Sequence, residues 1–338
     1  MRMTSLHKTN TLRHIGLLLA LLWTSCTKTT NTIPVVTTAS SIAAIVKNAT
    51  NLTLFDSALS KTGLIKTLDS AGPTSPYTLF APPDAAFAAS GITGFTIYGD
   101  SVPYLTRLVR YHLIAGETYT AAKIASLLAG PNAPYAAASI NPYTGSSDTL
   151  YFTVNASGIF INGSLITQAD VTGNNGVIHA ISNVLVPPSA SIYQTLATDS
   201  TLGADSTLTY LVAAIRQASK STRLDSLLSG TSVFTLFAPT NSAFRLPPFN
   251  FTSADTIATI APDQLAMLLQ AHIVAGRKFS SDFYGQLPTL LAGDSIRFSP
   301  TYGNVLVQKG DTTFSTVTGF NVMATNGVIH KISQVLLP

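Results

Sequence analysis

The sequence contains little charge and almost no cysteine or glutamate. Its 338 residues include one Cys, one Trp and a single Glu (Glu117), and charged residues make up 10% of the chain. One Cys cannot form an internal disulfide, and no Cys/His spacing typical of a zinc site occurs. The small excess of basic residues is unclustered, which excludes the phosphate-binding surface of a nucleic-acid protein. With 46% hydrophobic residues the chain is too apolar to be disordered, and its length suffices for two ordinary domains.

The first 25 residues have the features of a secretory signal. Three basic residues precede an apolar run at 15–23, which is far shorter than the ~20 residues of a membrane-spanning helix. The run leads into small residues and then Cys26, a pattern that resembles the lipobox of bacterial lipoproteins. This resemblance implies a signal peptide at 1–25, lipidation of Cys26 and a Thr-rich tether at 26–39. The alternative is an ordinary cleaved signal followed by an incidental Cys.

Cleavage before Cys26 would change the charge of the chain. It leaves 313 residues with 16 basic and 15 acidic side chains, so the pI of about 9.1 belongs largely to the signal. A nearly neutral chain has no electrostatic attraction for nucleic acid or acidic lipid, and we expect membrane contact through the lipid anchor alone. Thr27 replaces the Asp that retains some lipoproteins in the inner membrane. This favours the outer membrane, with the periplasmic and surface faces both open.

The rest of the chain is a duplication. Three blocks recur in the same order: 78–87 and 235–244 (TLFAP), 105–116 and 265–276 (HLIAG and HIVAG), and 175–185 and 326–336 (NGVIH). Their offsets are 157, 160 and 151, so the loops between the blocks differ in length. A period of this size indicates two tandem domains rather than a solenoid. We place domain 1 at 40–188 and domain 2 at 189–338, with paired prolines at the junction.

The blocks predict local structure. The first indicates a short strand at 78–81, after which Asp84 and its counterpart Asn241 stand where a helix N-cap is wanted. The second has the spacing of a helix, and the Asn-Gly pair of the third predicts a hairpin turn before a buried strand. Upstream helices are expected at 41–49 and 57–68. Short strands are expected at the positions 151–154, 159–161, 296–299 and 305–308. Helices early and strands late in each copy predict an α+β fold.

These blocks resemble the fasciclin (FAS1) domain family, whose motifs are similar to TLFAP-x-[D/N]-x-A-F, YHLIAG and NGVIHxIxxVL. The resemblance covers both copies and implies two tandem domains, each a β-sandwich wedge with a layer of helices. It also implies a role in adhesion at cell surfaces, without a common catalytic activity. In some animal members the tyrosine–histidine segment contributes to partner binding, which points to Tyr111, His112 and His272. In copy two Ala271 replaces the Tyr.

The histidines are the natural place to look for chemistry. The chain after the signal has four, at repeat-equivalent positions: His112, His179, His272 and His330. One interpretation is a metal or acid–base pair in each domain. The favoured one is packed rings that bond backbone groups and hold the blocks together, because each His stands in an apolar segment without nearby carboxylates. No nucleophile elbow, P-loop or dinucleotide motif occurs, so we expect no catalytic residue, metal or cofactor.

A second pattern concerns aspartate. Ten of the 14 Asp residues are followed directly by Ser or Thr. Turn and cap chemistry explains such pairs, because all three residue types favour turns and helix starts. The alternative is that Asp-Ser/Thr-apolar triplets such as 225–227 resemble the O-glycosylation acceptor of some Gram-negative envelope systems.

The sequence therefore predicts a non-enzymatic adhesion or interaction protein. We expect a lipid anchor at Cys26 and two fasciclin domains presented to an envelope or extracellular protein or polysaccharide. The alternative is an envelope binding protein for a small or lipidic ligand, which the hydrophobic content allows but does not require. An enzyme is disfavoured, because the chain offers few general bases.

Overall fold

The computed structural model describes residues 32–33, 40–69, 75–90, 92, 97, 99–129, 135–138, 149–198, 208–301, 304–309 and 313–338. In these ranges no helix is both long enough and apolar enough to cross a membrane.

Domain 1 begins with three short helices: α1 (Ile42–Asn48), α2 (Thr53–Lys61) and α3 (Leu64–Asp69). The Ser41 hydroxyl accepts a hydrogen bond from Ala44 N–H and caps α1. Gly63 separates α2 from α3 at φ +73°, a left-handed conformation in which glycine is favoured. The prediction of one helix over 57–68 is therefore wrong, because the chain turns at this glycine.

Three further described helices of domain 1 lie between its strands: α4 (Asp84–Ala89), α5 (Val102–Tyr111) and α6 (Ala121–Leu128). The hydroxyls of Ser101 and Thr120 cap α5 and α6. His112 ends α5, and Gly116 turns the chain at φ +81° after the strand that follows. The helix predicted within the second block is confirmed.

Domain 1 has seven described strands: β1 (Tyr77–Ala81), β2 (Leu113–Ala115), β3 (Tyr135–Ala138), β4 (Thr149–Asn155), β5 (Gly158–Ile161), β6 (Ser164–Gly173) and β7 (Gly176–Ile181). Their order in the sheet is β2-β1-β7-β6-β5-β4-β3. Strands β1 and β7 run parallel, and the other pairs are antiparallel. Register shifts in β6 between Ile166 and Val171 mark bulges, which bend a strand and strengthen its twist.

Domain 2 repeats this architecture. Its described helices are α7 (Ile192–Ala197), α8 (Thr209–Thr222), α9 (Leu224–Ser229), α10 (Asn241–Phe244), α11 (Ala254–Ile257), α12 (Pro262–Gln270) and a 3₁₀ turn (Ser280–Asp282). Its strands are β8 (Phe234–Pro239), β9 (Ile273–Ala275), β10 (Gln286–Pro288), β11 (Ser295–Thr301), β12 (Asn304–Lys309), β13 (Thr313–Ala324) and β14 (Gly327–Ile332). The sheet order is β10-β11-β12-β13-β14-β8-β9.

Each domain buries two clusters of apolar side chains. In domain 1 the helices pack on Leu79 and Ile178, which lie in the parallel pair β1 and β7. Phe80 and Ile181 belong to the second cluster, together with Phe152 of β4. Successive residues of a strand point to opposite faces of the sheet, so the two clusters lie on the two sides of the parallel pair. This arrangement confirms the α+β class with two tandem domains.

The hairpin before β7 differs from the one expected. Gly173 pairs with Gly176, so the two turn residues are both asparagines and the glycine is the first strand residue. A Cβ atom on Gly176 would overlap the carbonyl oxygen of Tyr77 in the parallel neighbour β1, and Gly327 stands in the same relation to Phe234. Glycine is needed here for close approach of two strands rather than for a turn.

Part of the predicted tether packs on domain 1. Ile33 is buried in the helical-side cluster, and its carbonyl oxygen accepts a hydrogen bond from the Gln168 side-chain amide at 3.0 Å. The Ile33 N–H donates to the same amide group. Ile33 therefore belongs to the core of domain 1, and the Thr-rich tether at 26–39 stays a prediction.

Candidate functional site

The histidine that follows each second-block helix is buried and hydrogen-bonds two segments of the backbone. His112 Nδ1 donates to the carbonyl of Leu108 at 2.8 Å, and Nε2 accepts from Leu185 N–H at 2.9 Å. His272 makes the same two bonds, to Leu268 and Leu336, at the same distances. Each ring thus ties the end of a helix to the chain segment that follows the last strand of its domain.

The third-block histidines link two other backbone segments within each domain. His179 Nε2 donates to the carbonyl of Tyr119 at 2.7 Å, and Nδ1 accepts from Asp170 N–H at 3.3 Å. His330 makes the equivalent bonds to Lys278 at 2.9 Å and to Asn321 at 3.3 Å. Asp170 and Asn321 both have φ +58°, so the ring bonds a backbone N–H that lies in a left-handed bulge.

Burial lowers the pKa of three of these rings. Desolvation lowers the pKa of His112 and of His330 to about 4 and lowers the pKa of His179, against the ordinary 6.5. In each of these three, the bond to a backbone carbonyl opposes the shift without overcoming it. A neutral ring with both nitrogens engaged by backbone groups has neither a free lone pair for a metal nor a proton to exchange near pH 7.

Tyr111 lies in the interior as well. Its hydroxyl donates to the carbonyl of Thr149 at 2.9 Å and accepts from the Asn162 side-chain amide at 2.8 Å, and the residue is 0% exposed. In domain 2 the same position is the buried Ala271. His112 and His272 are also 0% exposed. None of these three side chains presents a surface to a partner, so the binding role carried over from the family stays a prediction that the geometry does not support.

Asp84 and Asn241 are caps, although of a different helix from the one expected. Each residue begins the helix after the first-block strand, and neither caps it. Asp84 instead accepts from Leu54 N–H at 2.9 Å at the start of α2. Asn241 accepts from Tyr210 N–H at 2.9 Å at the start of α8. The prediction of an N-cap on the following helix is therefore wrong, because the side chain turns away to a helix about 30 residues earlier.

No built catalytic or ligand site emerges from the described residues. In them, no three His, Cys, Asp or Glu side chains come close enough to hold a metal ion. A surface cavity of about 260 Å³ lies in domain 2, lined by Leu246, Pro247, Pro248, Gln334, Val335 and Leu337. This volume is below the 300 Å³ or so at which drug-sized ligand sites begin.

The two domains meet at a joint that the sequence reasoning missed. Strand β4 of domain 1 faces the 3₁₀ turn of domain 2, where Thr153 Oγ1 and Ser281 Oγ are 2.8 Å apart. The Asn155 amide donates to the Ser281 carbonyl at 2.9 Å. The Asn321 amide donates to the Gly163 carbonyl at 3.4 Å. A Cβ atom on Gly163 would overlap the Asn321 side chain, so glycine permits this approach.

An aromatic contact completes the joint. The Arg277 guanidinium lies over the Tyr151 ring, 4.8 Å from its centroid, and the Phe279 ring lies 6.0 Å from Tyr151. Arg277 is held in place by its hydrogen bonds to backbone carbonyls of the β13–β14 hairpin, including Ala324 at 3.1 Å. The Thr78 and Thr235 hydroxyls make the same bonds in the two copies, to Glu117 and Tyr119 in domain 1 and to Gly276 and Lys278 in domain 2, so Thr118 lies where domain 2 has Arg277. An arginine that copy one lacks at this place is the signal that could have revealed the joint.

The fold and the interior use of the histidines define a class of protein: a duplicated α+β domain pair whose shared motifs build structure. A family model for the Fasciclin domain matches residues 50–187 and 207–338. The chain therefore belongs to the fasciclin domain family. Its members are adhesion proteins that are generally non-enzymatic.

Known proteins show the same relation. Protein sll1483 of Synechocystis sp. is 32% identical over 165 residues, which are 47% of this chain and 86% of that protein. Transforming growth factor-beta-induced protein ig-h3 of Sus scrofa is 26% identical over 272 residues, 79% of this chain and 35% of that protein. Human periostin is 27% identical over 281 residues, 80% and 28% respectively. The chain thus spans about a third of these two animal relatives.

A solved structure is also similar to the chain. It is a FAS1 domain pair from the insect cell adhesion molecule Fasciclin I, with 21% identity, a TM-score of 0.37, and coverage of 85% of this chain and 96% of that one.

Proposed function

We propose that this protein is a lipid-anchored, non-enzymatic adhesion or interaction protein of the bacterial cell envelope. It presents two fasciclin domains to an envelope or extracellular protein or polysaccharide. The observation that carries the non-enzymatic part is the internal use of all four histidines of the two domains, with both ring nitrogens of each bonded to backbone groups. The family carries the adhesion part.

The anchor rests on the sequence around Cys26. An apolar run that ends in small residues and the sole Cys of the chain supports lipidation at that thiol, with the outer membrane as the favoured location. Ile33 adds a consequence, because its packing on domain 1 leaves six residues between anchor and domain. At about 3.5 Å per step, the chain from Cys26 to Ile33 can span roughly 25 Å at most.

Adhesion is tested with cells that display the chain. Cells carrying the wild-type gene and cells carrying none are compared for aggregation and for retention on surfaces coated with matrix proteins or polysaccharides. We expect retention on at least one surface to depend on the gene. Equal retention by both kinds of cell on every surface would contradict the proposal.

The anchor has its own test. Cells fed an alkyne-tagged fatty acid should label the wild-type protein, and the variant Cys26→Ala should take up no label. A wild-type protein that stays unlabelled, with the intact mass of an unmodified chain cleaved elsewhere, would show an ordinary secretory signal instead.

A further inference from the structure

The cavity in domain 2 lies where a serine links two backbone segments of domain 1. The Ser90 hydroxyl donates to the Ala86 carbonyl at 2.9 Å and accepts from the Val184 N–H at 3.3 Å. It therefore joins the helix after the first-block strand to the segment after the last strand. The repeat offsets, 157 for the first block and 151 for the third, place Ala243 and Val335 at the positions of Ala86 and Val184. Both residues line the cavity.

The loop that carries this serine is longer in domain 2. It closes with a bond from the Ile92 N–H to the Phe87 carbonyl in domain 1, and from the Phe251 N–H to the Phe244 carbonyl in domain 2. The second pair lies two positions further apart in the chain than the first, so two residues are inserted. The longer loop reads RLPPFN at 245–250 and contains no hydroxyl side chain. Domain 2 therefore has no counterpart of the serine hydroxyl.

The two backbone groups that the hydroxyl joins are left open in domain 2. Within the described part of the chain, nothing accepts a hydrogen bond from the Val335 N–H, and the residue is only 6% exposed. The Ala243 carbonyl accepts from the Leu246 N–H at 3.3 Å, and no described side chain donates to it. A buried N–H without a partner costs free energy. A hydroxyl group, which is both donor and acceptor, would satisfy this pair as Ser90 does in domain 1.

The other walls of the cavity are apolar and uncharged. They are formed by Leu246, Pro247, Pro248 and Leu337, and the two leucines are 42% and 37% exposed. Gln334 adds an exposed amide side chain. The volume of about 260 Å³ is far above the ~30 Å³ that one water occupies in the liquid, and too small for a drug-sized molecule. These properties fit a small neutral ligand that has hydroxyl groups on an apolar ring.

We propose that this cavity binds one neutral sugar residue of a polysaccharide. A hydroxyl of the sugar accepts from the Val335 N–H and donates to the Ala243 carbonyl. The C–H face of the ring packs on the prolines and leucines, and the Gln334 amide bonds a further hydroxyl. Such a contact is weak for one molecule, and many copies anchored in one membrane add avidity. The inference rests on the proposed function and deepens it by selecting polysaccharide among the partners.

Nuclear magnetic resonance reads the proposed bond at a single atom. The full chain with Cys26→Ser, which has no acyl chain, is labelled with ¹⁵N-valine, and Val184→Ile and Val335→Ile assign the two amide peaks. The probes are the methyl glycosides of glucose, galactose, mannose and N-acetylglucosamine. We expect at least one to move the Val335 amide proton downfield until saturation, because its N–H gains an acceptor. The Val184 peak should stay in place, since Ser90 already bonds that N–H.

A polymer and two variants sharpen the measurement. A soluble polysaccharide of the responding sugar should move the same peak at a lower concentration of sugar. Leu337→Asp places a charge on an exposed wall of the cavity and should abolish the shift. The matched control is Val186→Asp, because Val186 is the counterpart of Leu337 at offset 151 and is 46% exposed. It should shift like the parent chain, and dispersed valine peaks show that each variant is folded.

Four outcomes would overturn the proposal. They are the absence of a saturable Val335 shift with every glycoside, an equal shift in folded Leu337→Asp, an equal shift with glycerol, and a polymer that leaves the peak in place. None of them bears on the retention of cells by coated surfaces. Retention that depends on the gene would still support the proposed function, which therefore fails or stands by its own experiment.

Discussion

The two domains make the same buried histidine contacts, but they differ in the polar side chains that cap equivalent segments. Asp84 and Asn241 cap equivalent helices, yet the carboxylate accepts from the Thr53 hydroxyl at 2.7 Å, whereas the amide donates to the Thr209 hydroxyl at 2.9 Å. The hydroxyl can act as donor or acceptor, so either side chain completes the bond. The backbone N–H at the helix start requires one acceptor oxygen, Oδ1, in both side chains. The other atom, Oδ2 of Asp84 or Nδ2 of Asn241, can differ because it faces a hydroxyl.

The bulge residues teach the opposite lesson. Asp170 and Asn321 also cap equivalent segments in the same left-handed conformation. Here the other side-chain atom decides the contact, because the Asn321 Nδ2 amide donates to the Gly163 carbonyl of domain 1 and a carboxylate oxygen cannot. A similar exchange of Asp for Asn is neutral at one position and creates a domain contact at the other.

The largest predicted effect is a loss of stability that equivalent glycine substitutions should cause in both domains. Gly176→Ala and Gly327→Ala each force a methyl group onto a carbonyl oxygen of the parallel neighbouring strand, and should cost about 4 kcal/mol or more of unfolding free energy. Hydrogen exchange read by mass spectrometry should show the loss of protection in the substituted domain. Gly285→Ala is the control: its Cβ would meet open space, so that only its φ of +66° adds a smaller cost. Equal protection in all three variants would contradict the tight approach.

Acid should weaken both domains through their histidines. The folded pKa of about 4 for His112 and for His330 lies below the unfolded 6.5, so the unfolded chain binds more protons between these values. The stabilisation is complete above about pH 6.5 and is lost as the pH falls towards 4, by roughly 3 kcal/mol for each ring. His179 adds a loss of the same sign.

Urea unfolding between pH 4 and pH 8 measures this loss. His330→Phe should lower stability at every pH and flatten the pH dependence of domain 2. An unchanged pH slope in that variant would show that the ring is not the titrating group.

Tyr111 allows a test in which domain 1 alone should lose stability. Tyr111→Phe removes the hydroxyl that links Thr149 to Asn162 and leaves both polar groups buried, at a cost of about 1–2 kcal/mol in domain 1. Domain 2, which has Ala271 there, should keep its stability. Tyr284→Phe at a 73% exposed position should change nothing, and an equal loss in both variants would argue against the buried network.

The caps give a smaller effect that sharpens the comparison. Asp84→Ala and Asn241→Ala should each cost about 1 kcal/mol, because a helix-start N–H loses its acceptor. Asp84→Asn and Asn241→Asp should each stay within about 0.5 kcal/mol of wild type, since each copies the side chain of the other domain. Denaturant midpoints measure all four. A swap as costly as the alanine variant would mean that the copies are not interchangeable here.

The smallest effect concerns the joint. Asn321→Asp keeps the bond from Ser280 N–H and removes the donor to Gly163, so each domain should retain its own stability. The coupling between their unfolding transitions should fall by about 1 kcal/mol, as for one partly buried neutral hydrogen bond. Calorimetry of the full chain shows this as a wider separation of two transitions. Asp170→Asn in the other copy should leave the separation unchanged.

Much of the fold was predictable because each local pattern occurs in both copies of the sequence. The strand at 78–81, the helix of the second block and the buried NGVIH strand each occur twice, so an accidental pattern in one copy is checked by the other. The errors share a cause. The helix at 57–68 divides at Gly63, and the helix-start pattern at Asp84 serves α2 instead. Local patterns carry no information on which distant group a side chain reaches.

The amino-acid order was sufficient for the duplication, the α+β class, the exclusion of an internal disulfide and the assignment of the histidines to structure. These follow from period, composition and apolar context, all of which are local or repeat-based properties. Three-dimensional packing was needed to show that Tyr111 is inaccessible, that Gly176 serves a close strand contact and that the domains meet at Tyr151 and Arg277. These depend on contacts between residues far apart in the chain, and the free energy of such contacts exists only after folding has brought them together.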